Sequence, residues 1–219
     1  MRSIGTAAVA LLFAATAVAE SPDERRGAPA GAFDFYVLAL SWSPGFCATR
    51  GAERAREQCA TGAGLGFVVH GLWPQNERGY PSFCEPQARL PSRPALDEAR
   101  GLFPDEGLAR YQWRKHGSCT GGSPAEYFRN VRRARELVRV PAALNAPTGE
   151  ARQSPVAIER AFADANPGLR PEMMAVACRS RTFQEIRICM TGDLRAFRAC
   201  PEVDRDGCRG GDLAIPAPR

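Results

Sequence analysis

Two short apolar runs near the start of the chain predict buried β-strands. Residues 35–40 are apolar and rich in β-favouring side chains, and a Ser-Pro-Gly turn signal follows them at residues 43–45. A second run covers residues 65–70, and glycine and proline at positions 71 and 74 interrupt it. His70 is therefore predicted at a strand end, where it would face a cleft.

A third strand signal lies in the second half of the chain. Polar and apolar residues alternate over residues 181–190, which is typical of a half-exposed strand, and residues 175–178 supply a candidate partner. The tail from residue 210 is rich in glycine and proline, so we expect it to be loosely held.

Amphipathic runs predict helices between these strands. The best defined begins at Ser123, because serine can cap, Pro124 fits the first helical position and Glu126 completes a capping box. Weaker or shorter patterns predict helices over residues 95–102, 105–113 and 154–165. The pattern as a whole predicts an α+β fold, a single domain with a central antiparallel β-sheet flanked by helices.

The first residues have the pattern of a secretory signal peptide. Arg2 precedes an apolar run that ends in Ala-Val-Ala at residues 17–19. The alternative is a membrane anchor, but the run is shorter than the roughly 20 residues of a spanning helix. We predict a signal peptide at residues 1–19, a flexible leader at 20–32 and one domain at 33–219. The product would be periplasmic or secreted, off the membrane and monomeric.

Charge and cysteine content add two constraints. The formal net charge of +5 is compatible with a polyanionic partner but does not demonstrate one. Eight cysteines in an exported chain predict four disulfides. The alternative is zinc, but the chain has no Cys-x-x-Cys pair and its two histidines do not give finger or ribbon spacing. We therefore expect no metal.

The two histidines of the chain stand in similar surroundings. Both His70 and His116 are followed by glycine, and each has a tryptophan three residues away, Trp73 or Trp113. Lys115, the only lysine in the chain, directly precedes His116. Lysine is a compact charge and arginine a planar fork, so a chain that otherwise uses arginine indicates a need for an ammonium here. We interpret the two segments as halves of one site.

This set of residues is suited to acid–base chemistry. One neutral imidazole takes a proton and one imidazolium gives a proton, each role contributing about 10²–10⁴-fold. Lys115 would stabilise charge on a phosphorane and lower the pKa of His116, and Trp73 offers a face to a nucleobase. The set suits attack of an RNA 2′-hydroxyl on the adjacent phosphodiester. The alternative is that each histidine or tryptophan is simply a core residue.

The full segments resemble those of a known family. Residues 67–74, Phe-Val-Val-His-Gly-Leu-Trp-Pro, are similar to the first active-site segment of the ribonuclease T(2) family, and residues 108–119 resemble the second. The resemblance implies a metal-independent endoribonuclease of low base specificity without a cofactor. It would cleave RNA through a 2′,3′-cyclic phosphate, which is then opened to a 3′-phosphate.

The resemblance also implies residue roles. His116 matches the general base, His70 the acid that protonates the leaving group, Lys115 the cation beside the phosphate, and Trp73 a wall of the base pocket. It implies four disulfides, which are Cys47–Cys59, Cys84–Cys119, Cys178–Cys208 and Cys189–Cys200.

The chain departs from the family pattern beside the second histidine. Many members have His-Glu where this chain has Tyr111 and Gln112. Gln112 is a catalytic candidate by position, but its amide cannot stabilise an imidazolium by charge, which predicts lower histidine pKa values. Further substrate-binding candidates are Gln75, Tyr111 and Trp113. The alternative function is a catalytically weak, disulfide-stapled secreted relative that binds RNA or protein.

Overall fold

The computed structural model describes residues 23–51, 55–84, 90–145 and 149–218, which form an α+β domain as predicted. The predicted signal peptide lies outside these residues. The strands are β1 (Glu24–Arg26), β2 (Phe35–Trp42), β3 (Phe67–Gln75), β4 (Tyr80–Ser82), β5 (Ala151–Gln153), β6 (Met174–Arg179), β7 (Thr182–Thr191) and β8 (Leu213–Ile215). The helices are α1 (Ser43–Phe46), α2 (Arg56–Cys59), α3 (Arg93–Glu98), α4 (Glu106–Lys115), α5 (Pro124–Leu137), α6 (Ala142–Asn145), α7 (Pro155–Ala165) and α8 (Pro201–Arg205).

The main sheet is antiparallel through its centre. Its strands run in the order β3-β2-β7-β6, and β8 joins the start of β7 in parallel and pairs with β5. A parallel pair of β1 and β4 lies outside this sheet. The predicted pairing of residues 175–178 with the strand of residues 181–190 is confirmed, and the other edge of that strand pairs with β2.

Strand β2 is buried on both faces and divides the core. Tyr36, Leu38 and Leu40 belong to the large core, which also contains apolar residues of α5 and α7. Phe35 and Val37 face the opposite side and pack in a smaller cluster with residues of β6, β7 and α8. Burial on both faces explains why β2 reads as a continuous apolar run.

Strand β3 does not end where glycine and proline interrupt the pattern, so the prediction that His70 lies at a strand end is wrong. Pro74 is tolerated because β3 lies at one end of the strand order of the main sheet, where a missing N–H donor leaves the ladder intact. Gly71 and Val69 pair with two consecutive residues of β2. His70 lies between Gly71 and Val69 and is therefore the extra residue of a β-bulge. Bulges bend a strand and redirect a side chain.

The helix starts predicted at Ser123 and Ser154 are confirmed, whereas the helix predicted over residues 95–102 is α3, Arg93–Glu98. Ser123 accepts from the backbone N–H of Glu126, and the Glu126 carboxylate accepts from Ser123 N, so the capping box of α5 is present. Ser154 caps α7 in the same manner. The four disulfides pair as the resemblance implied. Among the described helices, none has the length and apolar content to cross a membrane.

Two terminal segments are more ordered than the sequence indicated. The tail was expected to be loose, but Leu213 and Ile215 are fully buried, and the Trp42 indole donates to the Pro216 carbonyl at 3.0 Å. Within the segment predicted as a flexible leader, β1 pairs with β4, and Gly31 N donates to Cys119 O at 2.9 Å. Backbone pairing with distant residues, which local composition does not encode, holds both segments.

Candidate active site

The predicted site residues converge on one cleft of about 320 Å³. It lies on the side of the main sheet that carries Val37 of β2, between β3 and α4, with α8 and the β1–β4 pair at its rim. The predicted residues that line it are His70, Trp73, Gln75, Tyr111, Gln112, Lys115 and His116. The two histidine segments, whose histidines are 46 residues apart in sequence, therefore line the same cleft.

Helix α4 presents one half of the site. Asp105 caps its first turn by accepting from Leu108 N at 2.8 Å, and the helix ends at Lys115. Gln112 lies three and four residues before Lys115 and His116, so the three side chains share one side of the last turn. A Cβ at Gly117 would lie only 2.4 Å from the Trp113 ring, which explains the glycine after His116.

His116 is a buried imidazole in the floor of the cleft. Its ring stacks on the Trp73 indole with centroids 5.3 Å apart and an interplanar angle of 28°. Burial, the Lys115 ammonium and His70 lower the pKa of His116 well below its ordinary value. The predicted lowering is present, and burial is its first cause. Within the described chain, His116 Nδ1 has no hydrogen-bond partner. A neutral imidazole in this position is suited to accept a proton.

His70 has the opposite setting. Its Nδ1 lies 2.6 Å from Glu185 Oε2, and Glu185 Oε1 accepts from Arg187 Nε at 2.9 Å. Burial alone would raise the pKa of Glu185, but the charges and hydrogen bonds of His70 and Arg187 outweigh it and lower that pKa to about 2. The carboxylate beside His70 is therefore ionised.

Trp73 connects the two histidines. Besides stacking on His116, its ring meets His70 edge-on at 5.2 Å, and its Nε1 donates to Gln112 Oε1 at 2.9 Å. A Cβ at Gly71 would lie 2.2 Å from Gln112 Oε1 and 2.3 Å from Trp73 Nε1. The glycine after His70 is thus required by this indole–amide contact. One face of Trp73 packs against His116, so Trp73 contacts both histidines and Gln112. Its role as a wall of the base pocket stays a prediction.

Lys115 is partly shielded by the N-terminal strand. Its Nζ lies 3.7 Å from Glu24 Oε1 of β1 and 5.9 Å from the Tyr80 ring centroid. The side chains of Lys115 and Glu24 are 22% and 14% exposed, so an anion that reaches the ammonium competes with a carboxylate already present.

Sequence reasoning missed several residues of the site and misplaced one. Glu185 and Arg187 lie on β7, where alternation predicted a half-exposed strand, yet Glu185 is 6% exposed. The available signal was a Glu-x-Arg pair inside a strand, which puts two charges on one face. Trp113 is buried in the large core beside Tyr127 and does not line the cleft, so its prediction as a substrate-binding residue is wrong.

Among the described residues, no group of three or more histidine, cysteine, aspartate or glutamate side chains is arranged to hold a metal ion. The chemistry that the cleft supplies is a neutral base, an imidazole on a carboxylate and an ammonium. Such a set is suited to general acid–base chemistry.

Comparison with known proteins places the chain in a family. The model of the Ribonuclease T2 family matches residues 33–200, and the chain belongs to that family. A ribonuclease of Aeromonas hydrophila is 44% identical over 128 residues, which are 58% of this chain and 56% of the relative. Ribonuclease DdI of Dictyostelium discoideum is 26% identical over 96% of both chains.

The fold is similar to that of solved ribonuclease structures. A crystal structure of RNase NT in complex with 5′-AMP superposes with a TM-score of 0.67 over 84% of this chain and 98% of the other, at 18% identity. The matches to the first curated relatives span about half of those relatives' lengths.

Proposed function

We propose that this protein is a metal-independent endoribonuclease of low base specificity. One observation carries the proposal: a single cleft holds two imidazoles in opposite electrostatic settings. His116 is buried with a lowered pKa, and His70 lies on an ionised carboxylate. Such a pair supplies a base and an acid at the same pH. The names of the relatives, which are ribonucleases, support the same reaction class.

The reaction takes place in two steps. Neutral His116 accepts the proton of the 2′-hydroxyl, the 2′-oxygen forms a bond to phosphorus, and the bond to the 5′-oxygen breaks as protonated His70 donates to that oxygen. The product is a 2′,3′-cyclic phosphate. Water then adds in the reverse sense, with the proton roles exchanged, and leaves a 3′-phosphate. Lys115 stabilises the additional negative charge on the phosphorane.

Low base specificity is supported by the chemistry of the cleft wall. Tyr80, Tyr111 and Trp73 line the cleft together, and aromatic faces stack with any nucleobase. Gln75 is mostly buried in the same lining and lacks the charge of an acidic selector. The four disulfides and the apolar start of the sequence support export to the periplasm or medium, with residues 1–19 as the signal peptide.

The test uses RNA whose cleavage needs its own 2′-hydroxyl. Purified protein in excess EDTA is expected to cleave a single-stranded RNA and release a 2′,3′-cyclic phosphate. The same strand with one 2′-deoxynucleotide is expected to resist cleavage at that position alone. His70→Ala and His116→Ala are each expected to lower kcat/KM by at least about 10²-fold.

Three outcomes would contradict the proposal. The first is a loss of cleavage in EDTA, and the second is cleavage at the deoxynucleotide. The third is the release of products that carry a 5′-phosphate instead of a 2′,3′-cyclic phosphate or a 3′-phosphate. Binding of RNA without cleavage across the pH range would favour the catalytically weak relative instead.

A further inference from the structure

We propose that Glu185 is the positioning residue of His70: it holds Nδ1 and thereby directs Nε2 to the leaving-group oxygen. The inference rests on the proposed function, since it assigns an anchor to the acid of that reaction. Glu185 reacts with nothing itself and acts through the imidazole.

The position of the Glu185 carboxylate is set by the sheet and does not depend on its contact with His70. Glu185 lies on β7, a strand paired on both sides, opposite Ser41 of β2 and Ala177 of β6. Its side chain is 7% exposed, and its second oxygen is occupied by Arg187 Nε. A carboxylate held by a central strand and a second partner has little freedom to turn away.

His70 itself is held less firmly. It is the extra residue of a bulge on β3, and its side chain is 40% exposed. An imidazole in such a place would exchange rotamers and tautomers without an anchor. Because an ionised carboxylate only accepts hydrogen bonds, the contact to Oε2 puts the proton on Nδ1 and leaves Nε2 to exchange a proton with substrate.

Arg187 completes the arrangement from the cleft side. Its guanidinium lies 5.5 Å from the Trp73 ring centroid, and its side chain is 34% exposed. The interactions with His70 and Arg187 lower the pKa of Glu185 to about 2, so the carboxylate is ionised at pH values well above 2. The buried carboxylate thus has a partner at each of its two oxygens.

The first experiment compares two substrates. One is an RNA dinucleotide, whose 5′-alkoxide must be protonated to leave. The other is a nucleoside 3′-(p-nitrophenyl phosphate), whose phenolate leaves without an acid. Glu185→Gln is expected to lower kcat on the dinucleotide about 10- to 100-fold, a part of what a general acid contributes. KM and the rate on the aryl ester are expected to change less than threefold.

Three variants support this comparison. Glu185→Asp is expected to recover part of the kcat on the dinucleotide. Adding His70→Ala to Glu185→Gln is expected to cost no more than His70→Ala alone. The control is Glu159→Gln on α7, where the carboxylate accepts from Val176 N outside the cleft lining, and it is expected to leave both rates unchanged.

The second experiment needs no activity. Because the chain has two histidines, nitrogen-15 NMR of the rings can assign each tautomer. Neutral His70 is expected with its proton on Nδ1 in the wild type and as a tautomer mixture in Glu185→Gln. An unchanged tautomer, or equal losses on both substrates, would overturn the inference. A wild type inactive on both substrates with the expected tautomer would reject the proposed function alone.

Discussion

At the scale of single residues, the two imidazoles differ because their surroundings differ. His116 is buried next to a lysine, and His70 is partly exposed and touches a carboxylate. Gln112 contacts the Trp73 indole through its side chain, and no contact of its amide with either imidazole is described. Position 112 therefore carries no charge beside His116, and the carboxylate of Glu185 lies beside His70.

This arrangement predicts the pH dependence of Gln112→Glu. In the proposed reaction His116 must be neutral to act as the base, and its lowered pKa is expected to place the acid limb of the kcat/KM profile below the ordinary histidine value of 6.5. A carboxylate at position 112 stabilises the protonated form, raises the pKa of His116 and moves that limb to higher pH. The measurement is kcat/KM from pH 3 to 8.

The matched control is Gln153→Glu on β5, which adds the same charge outside the cleft lining. Its profile is expected to coincide with that of the wild type. An unchanged acid limb in Gln112→Glu would show that a charge at position 112 does not change the pKa of His116.

At the scale of elements, the β1–β4 pair covers the cationic end of the site. Register places Glu24 opposite Tyr80, and the carboxylate lies beside Lys115. Asp23 lines the same cleft. In the proposed reaction, a phosphate that approaches the ammonium competes with these acidic side chains.

Glu24→Gln is expected to tighten substrate binding. A partly exposed ion pair is worth about 0.2–1 kcal/mol, which corresponds to roughly 1.5- to 5-fold in KM. KM for a dinucleotide falls by about this factor at low salt, and kcat changes little. Glu57→Gln on the exposed side of α2 is the control. A KM that rises, or that falls equally in the control, would contradict the competition.

At the scale of the whole molecule, one disulfide ties the site's two halves together. Cys84 follows β4, and Cys119 lies in the turn after His116, so their bond closes a loop with a separation of 35 residues. The backbone supports the same junction, since Phe83 N donates to Lys115 O at 2.8 Å.

Removal of this bond is expected to cost about 4 kcal/mol of unfolding free energy in Cys84→Ser/Cys119→Ser, from the loop entropy of the unfolded chain. The control, Cys47→Ser/Cys59→Ser, removes a disulfide with a sequence separation of 12 residues. Its loss is expected to cost about 3 kcal/mol of unfolding free energy. Urea unfolding measures both. Activity at equal folded fraction is expected to fall more in the first variant, and the reverse order would contradict the coupling.

The sequence alone predicted the fold class, most helix starts and the site's catalytic candidates. Capping boxes and apolar periodicity are local, so Ser123 and the strand of residues 35–40 were readable. The resemblance supplied the disulfide pairs. The extent of β3 was missed because pairing with β2 carries the strand past Gly71 and Pro74.

What the sequence by itself determined is the chemistry available: two imidazoles, one ammonium and the segments that carry them. The tertiary structure decided which groups these imidazoles meet. Glu185 lies 115 residues from His70, and only the β2–β7 register and the bulge in β3 bring the two together. The same packing buries Trp113 and leaves Trp73 in the cleft, because burial and long-range pairing depend on the whole sheet and not on local spacing.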